Sequence, residues 1–327
     1  MTRVLFLSKG AHSASTRYRA LQYFPLLEAA GFHPQHLPIA GGLGAYAAAL
    51  RAAGQADIVV VLRRTLPPLL LHLLRRRARR LVFDFDDAIF CNSDGSPSPT
   101  RERRFRAIVG AADHVLAGNR FLADATRTTN PAITVVPTSL DVSRYRSDLP
   151  KPADRLDLVW IGSSSTRKYL EGALPALRLA ARHVTGLRLR LRIVADFDLP
   201  DAGIDVDAVR WSADIEAAAL GSAHIGIAPM LDNDWTRGKC ALKVLQYMAA
   251  GLPVVSSRAG MNTELVHDGE TGFLADSPEQ WAEAIARLAG APELRVRMGA
   301  LAREQVTAGY SIPAVFERLR AALAPLG

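Results

Sequence analysis

Three residues in the short stretch "GKCALKVLQYMAAGLPVV" (238 to 255) invite chemistry: Lys239, Lys243 and Gln246. The stretch predicts a helix from Cys240 to Ala250, stopped by Gly251 and barred from continuing by Pro253. The three polar residues recur at i, i+4 and i+7 and so form one stripe, while Leu242, Leu245 and Ala249 line an apolar side. A helix start carries the positive end of the helix dipole, so two lysines there are disfavoured unless an anion joins them. A diphosphate would meet that need. The plain alternative is a stripe that faces bulk water.

The same logic applies to a second cluster. After "LDLVWIG" (156 to 162), which ends in Gly162, come Ser163, Ser164, Ser165, Thr166, Arg167 and Lys168. Backbone amides, hydroxyls and two cations converge there at a helix start. An ordinary Ser/Thr cap with solvated basic residues is the alternative. Ser15, Thr16, Arg17 and Arg19, in "SASTRYR", repeat the arrangement in the first half of the chain. A third constellation, "FDFDDAIF" (83 to 90), places Asp84, Asp86 and Asp87 at the end of a buried strand. Carboxylates there can take a proton, bind a metal or bond sugar hydroxyls. They can equally cap the next helix or pair with Arg103 or Arg104.

These residues need elements to hold them. "RVLFL" (3 to 7), a helix from about 16 to 30, "ADIVVVL" (56 to 62), a helix over 67 to 79 and "RLVFDF" (80 to 85) read as βαβαβ, a parallel sheet covered on both faces. "DHVLAGN" and "AITVVPT" add two strands. Prolines and charges then collect over 143 to 155, as in a linker. The pattern restarts at "LDLVWIG" and continues through "LRLRIV", "VRW", "HIGIAPM" and "PVVSS", a second parallel α/β domain, with amphipathic helices to follow. The expected division is 1–150, 151–309 and a final helix over 310–327. Ligands of open parallel sheets bind outside the carboxyl ends of strands, so "SASTR" and "SSSTR" are expected to line a cleft.

The whole chain narrows the function classes. With 327 residues, 49% of them hydrophobic, it can bury large cores. A formal charge of +8 attracts anions, whether nucleic acid, an anionic membrane or phosphorylated small molecules, although the arginines of a GC-rich genome would give the same sum. The cations gather at helix starts without interleaved aromatics, which argues against nucleic acid. No run reaches about 18 uncharged apolar residues and no export signal is visible, so a cytoplasmic protein is expected. "PPLLLHLLRRRARR" (67 to 80) could lie on the inner face of an anionic membrane, but a helix joining two strands already buries one face. Cys91 and Cys240 have no metal-ligand spacing, and neither a metal nor a cofactor is expected. "GLGAYA" (42 to 47) matches a dinucleotide fingerprint but follows what would be the second strand rather than the first.

Residues 237 to 275, with the pattern GKC-x-x-K-x-x-QYMA-x-G-x-PVV, resemble the signature of family 4 glycosyltransferases. "DFDDAIF", "VVPTSLDVSRY", "SSSTRKYL" and "HIGIAPM" resemble further segments of the same subgroup, in the same order. The resemblance implies a GT-B fold, two Rossmann-like doubly wound parallel-sheet domains facing a central cleft, with a final helix that crosses back to the first. It implies a retaining, metal-independent transferase that takes a sugar from a UDP-, GDP- or dTDP-linked donor. By resemblance Arg167 and Lys168 match the family's diphosphate pair, with Ser163, Lys239 and Lys243 assisting. Gly162, Gln246 and Glu264 then lie against nucleotide and sugar, and Asp86 or Asp87 orients the acceptor. Ser15, Thr16, Arg17 and Arg19 fall on the acceptor side. Most of the family carries two glutamates eight positions apart, for sugar and ribose; this chain has Gly238 and Gln246 there. Glutamine can still bond a ribose hydroxyl, whereas glycine offers the sugar nothing. Two other readings stay open: a nucleotide-sugar epimerase, and a protein that binds nucleotide sugar without catalysis.

Overall fold

The computed structural model describes every residue except 40, 41 and 147. The chain forms two compact units. The first comprises Met1–Ser139, Asn233–Cys240 and Ile312–Gly327, the second Leu140–Asp232 and Ala241–Ser311. The first boundary thus falls after Ser139, ahead of the proline-rich linker. The eight residues Asn233–Cys240 belong to the first unit although their neighbours on both sides belong to the second.

The first unit holds β1 (Thr2–Ser8), β2 (Phe32–Pro38), β3 (Ile58–Leu62), β4 (Arg80–Phe85), β5 (His114–Ala117) and β6 (Ile133–Val135). They form one parallel sheet in the order β2-β1-β3-β4-β5-β6. All five residues of β3, "IVVVL", are buried, as a central parallel strand with helices on both faces requires. β2 contains Pro34 and Pro38 and lies at the edge, where a missing amide breaks no ladder. The continuous helix expected over 16 to 30 is instead Ala14–Arg19, a 3-10 turn Leu21–Tyr23 and Phe24–Ala29. Ala20 leaves helical geometry at φ −134°, and Pro25 lacks the amide that would carry the helix through. The helix Ile312–Leu323 packs Val315, Phe316 and Leu319 into the same core as Phe6, Tyr23 and Val60.

The second unit holds β7 (Arg155–Ile161), β8 (Arg188–Ala195), β9 (Asp205–Arg210), β10 (Ile225–Ala228), β11 (Val254–Ser257) and β12 (Gly272–Ala275). Their order, β12-β11-β10-β7-β8-β9, counts as 3-2-1-4-5-6 from the unit's own first strand, the order of dinucleotide-binding domains. Trp160, Leu170, Leu177, Ile193 and Ile285 centre its core.

The lysine helix is shorter than its pattern suggests. It spans Leu242–Ala249, preceded by Ala241 in the left-handed region at φ +49°. The stripe is therefore broken: Lys243 and Gln246 are on the helix, while Lys239 lies before the turn and in the first unit.

Candidate functional site

In the first unit the site is built at the carboxyl ends of β3 and β4. Their register pairs Leu62 with Asp84, and the Arg63 amide donates to the Asp84 carbonyl at 2.7 Å. Arg63 adopts φ +51°, a left-handed conformation that costs an arginine about 1–3 kcal/mol unless its surroundings hold it there. Its guanidinium donates from Nη1 to Ser15 Oγ at 2.9 Å, contacts Asp87, and lies 3.7 Å from Asp86 Oδ1. Asp86 Oδ2 accepts from Ser15 Oγ at 2.7 Å. Asp86 Oδ1 is buried and has no hydrogen bond, an acceptor left unmade in the middle of the cluster. Asp87 is held by Arg63 and by Lys239, whose Nζ is 3.6 Å from Oδ1. Burial raises the Asp87 carboxyl above its ordinary range, and Lys239 and Arg63 offset this only in part.

Lys239 reaches Asp87 because "NDWTRGKC" is fastened to the first unit. Asn233 caps the short helix Asp234–Arg237 in a reciprocal box with Thr236. The Asn119 amide donates to the carbonyls of Arg237 at 3.0 Å and Lys239 at 3.2 Å. Cys240 Sγ donates to the Asp86 carbonyl at 3.4 Å. A Cβ at Gly118 would stand 2.3 Å from that sulfur, so only glycine admits it. A Cβ at Gly238 would stand 2.6 Å from both the nitrogen and the Cβ of Ala88. Gly238 is therefore a packing residue, and no glutamate fits at this position. Burial pushes the Cys240 thiol well up, so it serves as a wedge and not as a nucleophile.

In the second unit the site forms at the end of β7. Gly162 leaves room for Trp160, whose ring would lie 2.2 Å from a Cβ there. Ser163 and Thr166 make a reciprocal capping box. Ser164 donates to Asp196 through its amide at 2.8 Å and its hydroxyl at 2.9 Å. From the helix Leu242–Ala249, Lys243 Nζ donates to Thr166 Oγ1 at 3.3 Å and sits 4.0 Å from the Trp160 ring centroid. One turn on, the Tyr247 hydroxyl accepts from the Ile161 amide at 2.9 Å, tying helix to strand end. Arg167 pairs with Glu171 at 2.7 Å and lies over Phe197, and Lys168 stands over Tyr169.

Several expected roles change. Arg19 is no surface contact for an acceptor: it is 4% exposed and grips Asp84 through Nε at 2.8 Å and Nη2 at 2.5 Å, with Nη1 on the Val136 carbonyl. The carboxylates pair with Arg19 and Arg63, not with Arg103 or Arg104. Thr16 is buried, its hydroxyl on Ser8 Oγ at 2.8 Å, and Arg17 lies over Tyr18 with its Nε buried and unbonded. Gln246 is also buried, and its amide nitrogen is committed to Glu216 Oε1 at 2.8 Å and the Tyr145 hydroxyl at 3.3 Å, so only Oε1 is left for a ligand. Glu216 accepts in addition from Tyr145 at 2.7 Å and Trp211 at 2.8 Å. Glu264 is exposed on the short helix Asn262–Leu265. Sequence reasoning missed Arg63 and Glu216. The "LRRT" that closes β3 was the available signal for Arg63, a cation at a strand's carboxyl end. Among the described residues no group of three or more His, Cys, Asp or Glu could hold a metal ion, and no helix is long and apolar enough to cross a membrane.

Residues 155–290, most of the second unit, match the family Glycosyl transferases group 1. A D-inositol 3-phosphate glycosyltransferase of Arthrobacter sp. is 27% identical over 191 residues, 51% of this chain and 44% of that protein. A GDP-mannose-dependent alpha-(1-6)-phosphatidylinositol dimannoside mannosyltransferase of Mycobacterium tuberculosis is 29% identical over 173 residues, 50% of this chain and 43% of that protein. The chain thus aligns with less than half the length of either relative. Among solved structures, Anabaena Alr3699/HepE in complex with UDP and glucose superposes with TM-score 0.72 at 15% identity, covering 99% of this chain and 100% of that one. Sucrose-phosphate synthase from Thermosynechococcus elongatus gives 0.75 at 16% identity, covering 100% and 99%. The chain has the two-sheet GT-B fold of these glycosyltransferase structures, and its residues 155–290 match the group 1 glycosyl transferases.

Proposed function

We propose that this protein is a retaining, metal-independent glycosyltransferase that moves a sugar from a nucleotide diphosphate donor to an acceptor hydroxyl. The observation that carries the reading is the convergence of Lys243 with the Ser163–Thr166 loop at the end of β7. β7 lies beside β10, where the strand order of this sheet reverses, the place at which open parallel sheets hold phosphates. The segment that matches the glycosyl transferases contains both parts. Relatives named for D-inositol 3-phosphate glycosyl transfer and for GDP-mannose, and a similar fold solved with UDP, favour a UDP-, GDP- or dTDP-linked donor.

In this reading the second unit holds the donor. Lys243, the Ser163–Thr166 hydroxyls and the nearby Arg167 and Lys168 neutralise the diphosphate, Gln246 Oε1 meets the ribose, and Gly162 and Glu264 flank the nucleotide sugar. The first unit selects the acceptor, which Asp86 and Asp87 orient through hydroxyls other than the reacting one, with Lys239 and Arg63 holding Asp87 in place. The acceptor oxygen bonds to the anomeric carbon as the bond from that carbon to the diphosphate breaks. The departing diphosphate oxygen takes the hydroxyl proton on the same face, so no protein nucleophile is needed. The enzyme would work in the cytoplasm. The helix Pro68–Arg77 exposes Leu69, at 72%, with Leu73, Arg76 and Arg77, and supports a peripheral seat on an anionic membrane.

The test is incubation of the purified protein with UDP-, GDP- and dTDP-sugars and a panel of hydroxyl acceptors in chelator, with the anomeric configuration of any product read by NMR. Transfer with retained configuration supports the reading. Modified nucleotide sugar released without acceptor would make the protein an epimerase, and binding with neither transfer nor donor hydrolysis would make it a sensor.

A further inference from the structure

The first unit contains a pocket of about 420 Å³ at the carboxyl ends of β1 and β3, lined among others by Lys9, Ser13, Ser15, Arg63, Arg64 and Thr65. Its charges do not cancel. The carboxylates next to it are already matched: Asp84 by Arg19, and Asp86 and Asp87 by Arg63 and Lys239. Lys9 and Arg64 remain, and among the described residues neither has an ion pair or a hydrogen bond. Ser13 stands at a helix start without capping it. Two loops thus bring two unneutralised cations and the hydroxyls of Ser13 and Thr65 to one concave surface, although like charges left together without an anion repel.

We propose that this pocket binds a phosphomonoester, and that the phosphate belongs to the acceptor. A phosphomonoester carries about −1.5 to −2 charge near neutral pH, which two cations balance and a single carboxylate would not. Guanidinium and ammonium groups with converging hydroxyls are the donors such a group takes. The pocket has room for more than the phosphate, and Ser15 joins it to the carboxylates: the same hydroxyl lines the pocket and donates to Asp86 Oδ2. A phosphate on Lys9 and Arg64 therefore leaves the rest of the same small molecule to lie along Ser15 and Arg63, the two lining residues that hold Asp86. The left-handed backbone of Arg63 turns the chain between these two functions, its guanidinium on Asp86 and Asp87 and the next side chain, Arg64, in the pocket. The identity of this ligand as the acceptor rests on the transferase reading; the phosphate site does not.

The experiment is calorimetric titration with glycerol 3-phosphate and with glycerol, on the wild type, on Lys9→Ala/Arg64→Ala and on Lys243→Ala. Glycerol 3-phosphate is expected to bind the wild type and the Lys243→Ala variant alike, and glycerol to bind neither. In Lys9→Ala/Arg64→Ala the dissociation constant is expected to rise at least tenfold. Equal affinity in that double variant, or no preference for glycerol 3-phosphate over glycerol, overturns the proposal. The same variants titrated with nucleoside diphosphates separate the two ideas. If no nucleotide binds while glycerol 3-phosphate still requires Lys9 and Arg64, the transferase reading fails and the phosphate site stands. A parallel arm uses phosphatidylcholine vesicles with and without phosphatidic acid. Retention that needs both phosphatidic acid and the two cations assigns the phosphate to a lipid headgroup; glycerol 3-phosphate binding without such retention assigns it to a soluble acceptor.

Discussion

The two units have similar sheets and opposite electrostatics. The first carries 22 Lys and Arg against 11 Asp and Glu, the second 18 against 21, so the entire positive excess lies in the first. A compositional bias toward arginine would raise both units together. The segregation instead points to what the first unit must attract, an anion that arrives from solution or a membrane. The units also open with matching loops, "SASTR" and "SSSTR", and use them differently. In the first, the nearby Arg19 is swallowed by Asp84 and becomes part of the scaffold. In the second, Arg167 stays at the surface beside Glu171, and the cation that touches the loop hydroxyls comes from another helix, as Lys243. Like loops thus lead to different ends: two residues past the motif the first unit has Arg19, a buried strut on Asp84, where the second has Tyr169, and the second unit's loop is held by Asp196 through Ser164.

The largest effect should come from breaking the strut. Asp84→Ala leaves the Arg19 guanidinium buried without its carboxylate and should destabilise the protein by about 3–5 kcal/mol in denaturant titrations. A smaller loss is expected for Gly238→Glu, which drives a side chain into Ala88. Overpacking of that kind costs about 1–3 kcal/mol, and the melting temperature should fall accordingly. An unchanged melting temperature would mean that the segment Asn233–Cys240 is not clamped as described. Lys243→Ala should leave stability nearly intact yet weaken nucleoside diphosphate binding by about 1–3 kcal/mol, the size of one charge-assisted bond to phosphate. Smallest of all, Arg167→Ala removes an exposed i, i+4 pair and should change stability by less than about 0.5 kcal/mol. If Arg167→Ala destabilised the protein as much as Asp84→Ala, the contrast between the two loops would be lost.

Much of this was legible in the sequence, because strands buried on both faces write themselves as Val, Ile and Leu runs. β3, β4 and β7 stand out in that way, and so do the clusters placed at their ends. What could not be read depended on residues far apart in the chain. Arg19 and Asp84 are 65 positions apart, and nothing local tells a buried arginine from a solvated one. The lysine stripe was misjudged for the same reason. Helical spacing runs unbroken from Lys239 to Gln246, but Cys240 is drawn against Gly118 and Asp86, and Ala241 must turn left-handed before the helix can begin. Gly238 was visible as a departure from the pattern that the sequence resembles; the reason for it, Ala88, comes from the loop after β4, 150 residues earlier. Gln246 shows the reverse limit, since it lies on the helix its spacing indicates while its partner, Glu216, was invisible.

The central claim, that the end of β7 and Lys243 cradle a nucleoside diphosphate, is tested most directly by thermal-shift titration with UDP, GDP, TDP, ADP and CDP in the absence of metal. A ligand that binds only the folded state must raise its melting temperature. The expected result is a selective rise for one nucleotide, reduced in Lys243→Ala and preserved in Lys9→Ala/Arg64→Ala. No rise with any of the five at millimolar concentration, or a rise that ignores Lys243, would contradict it.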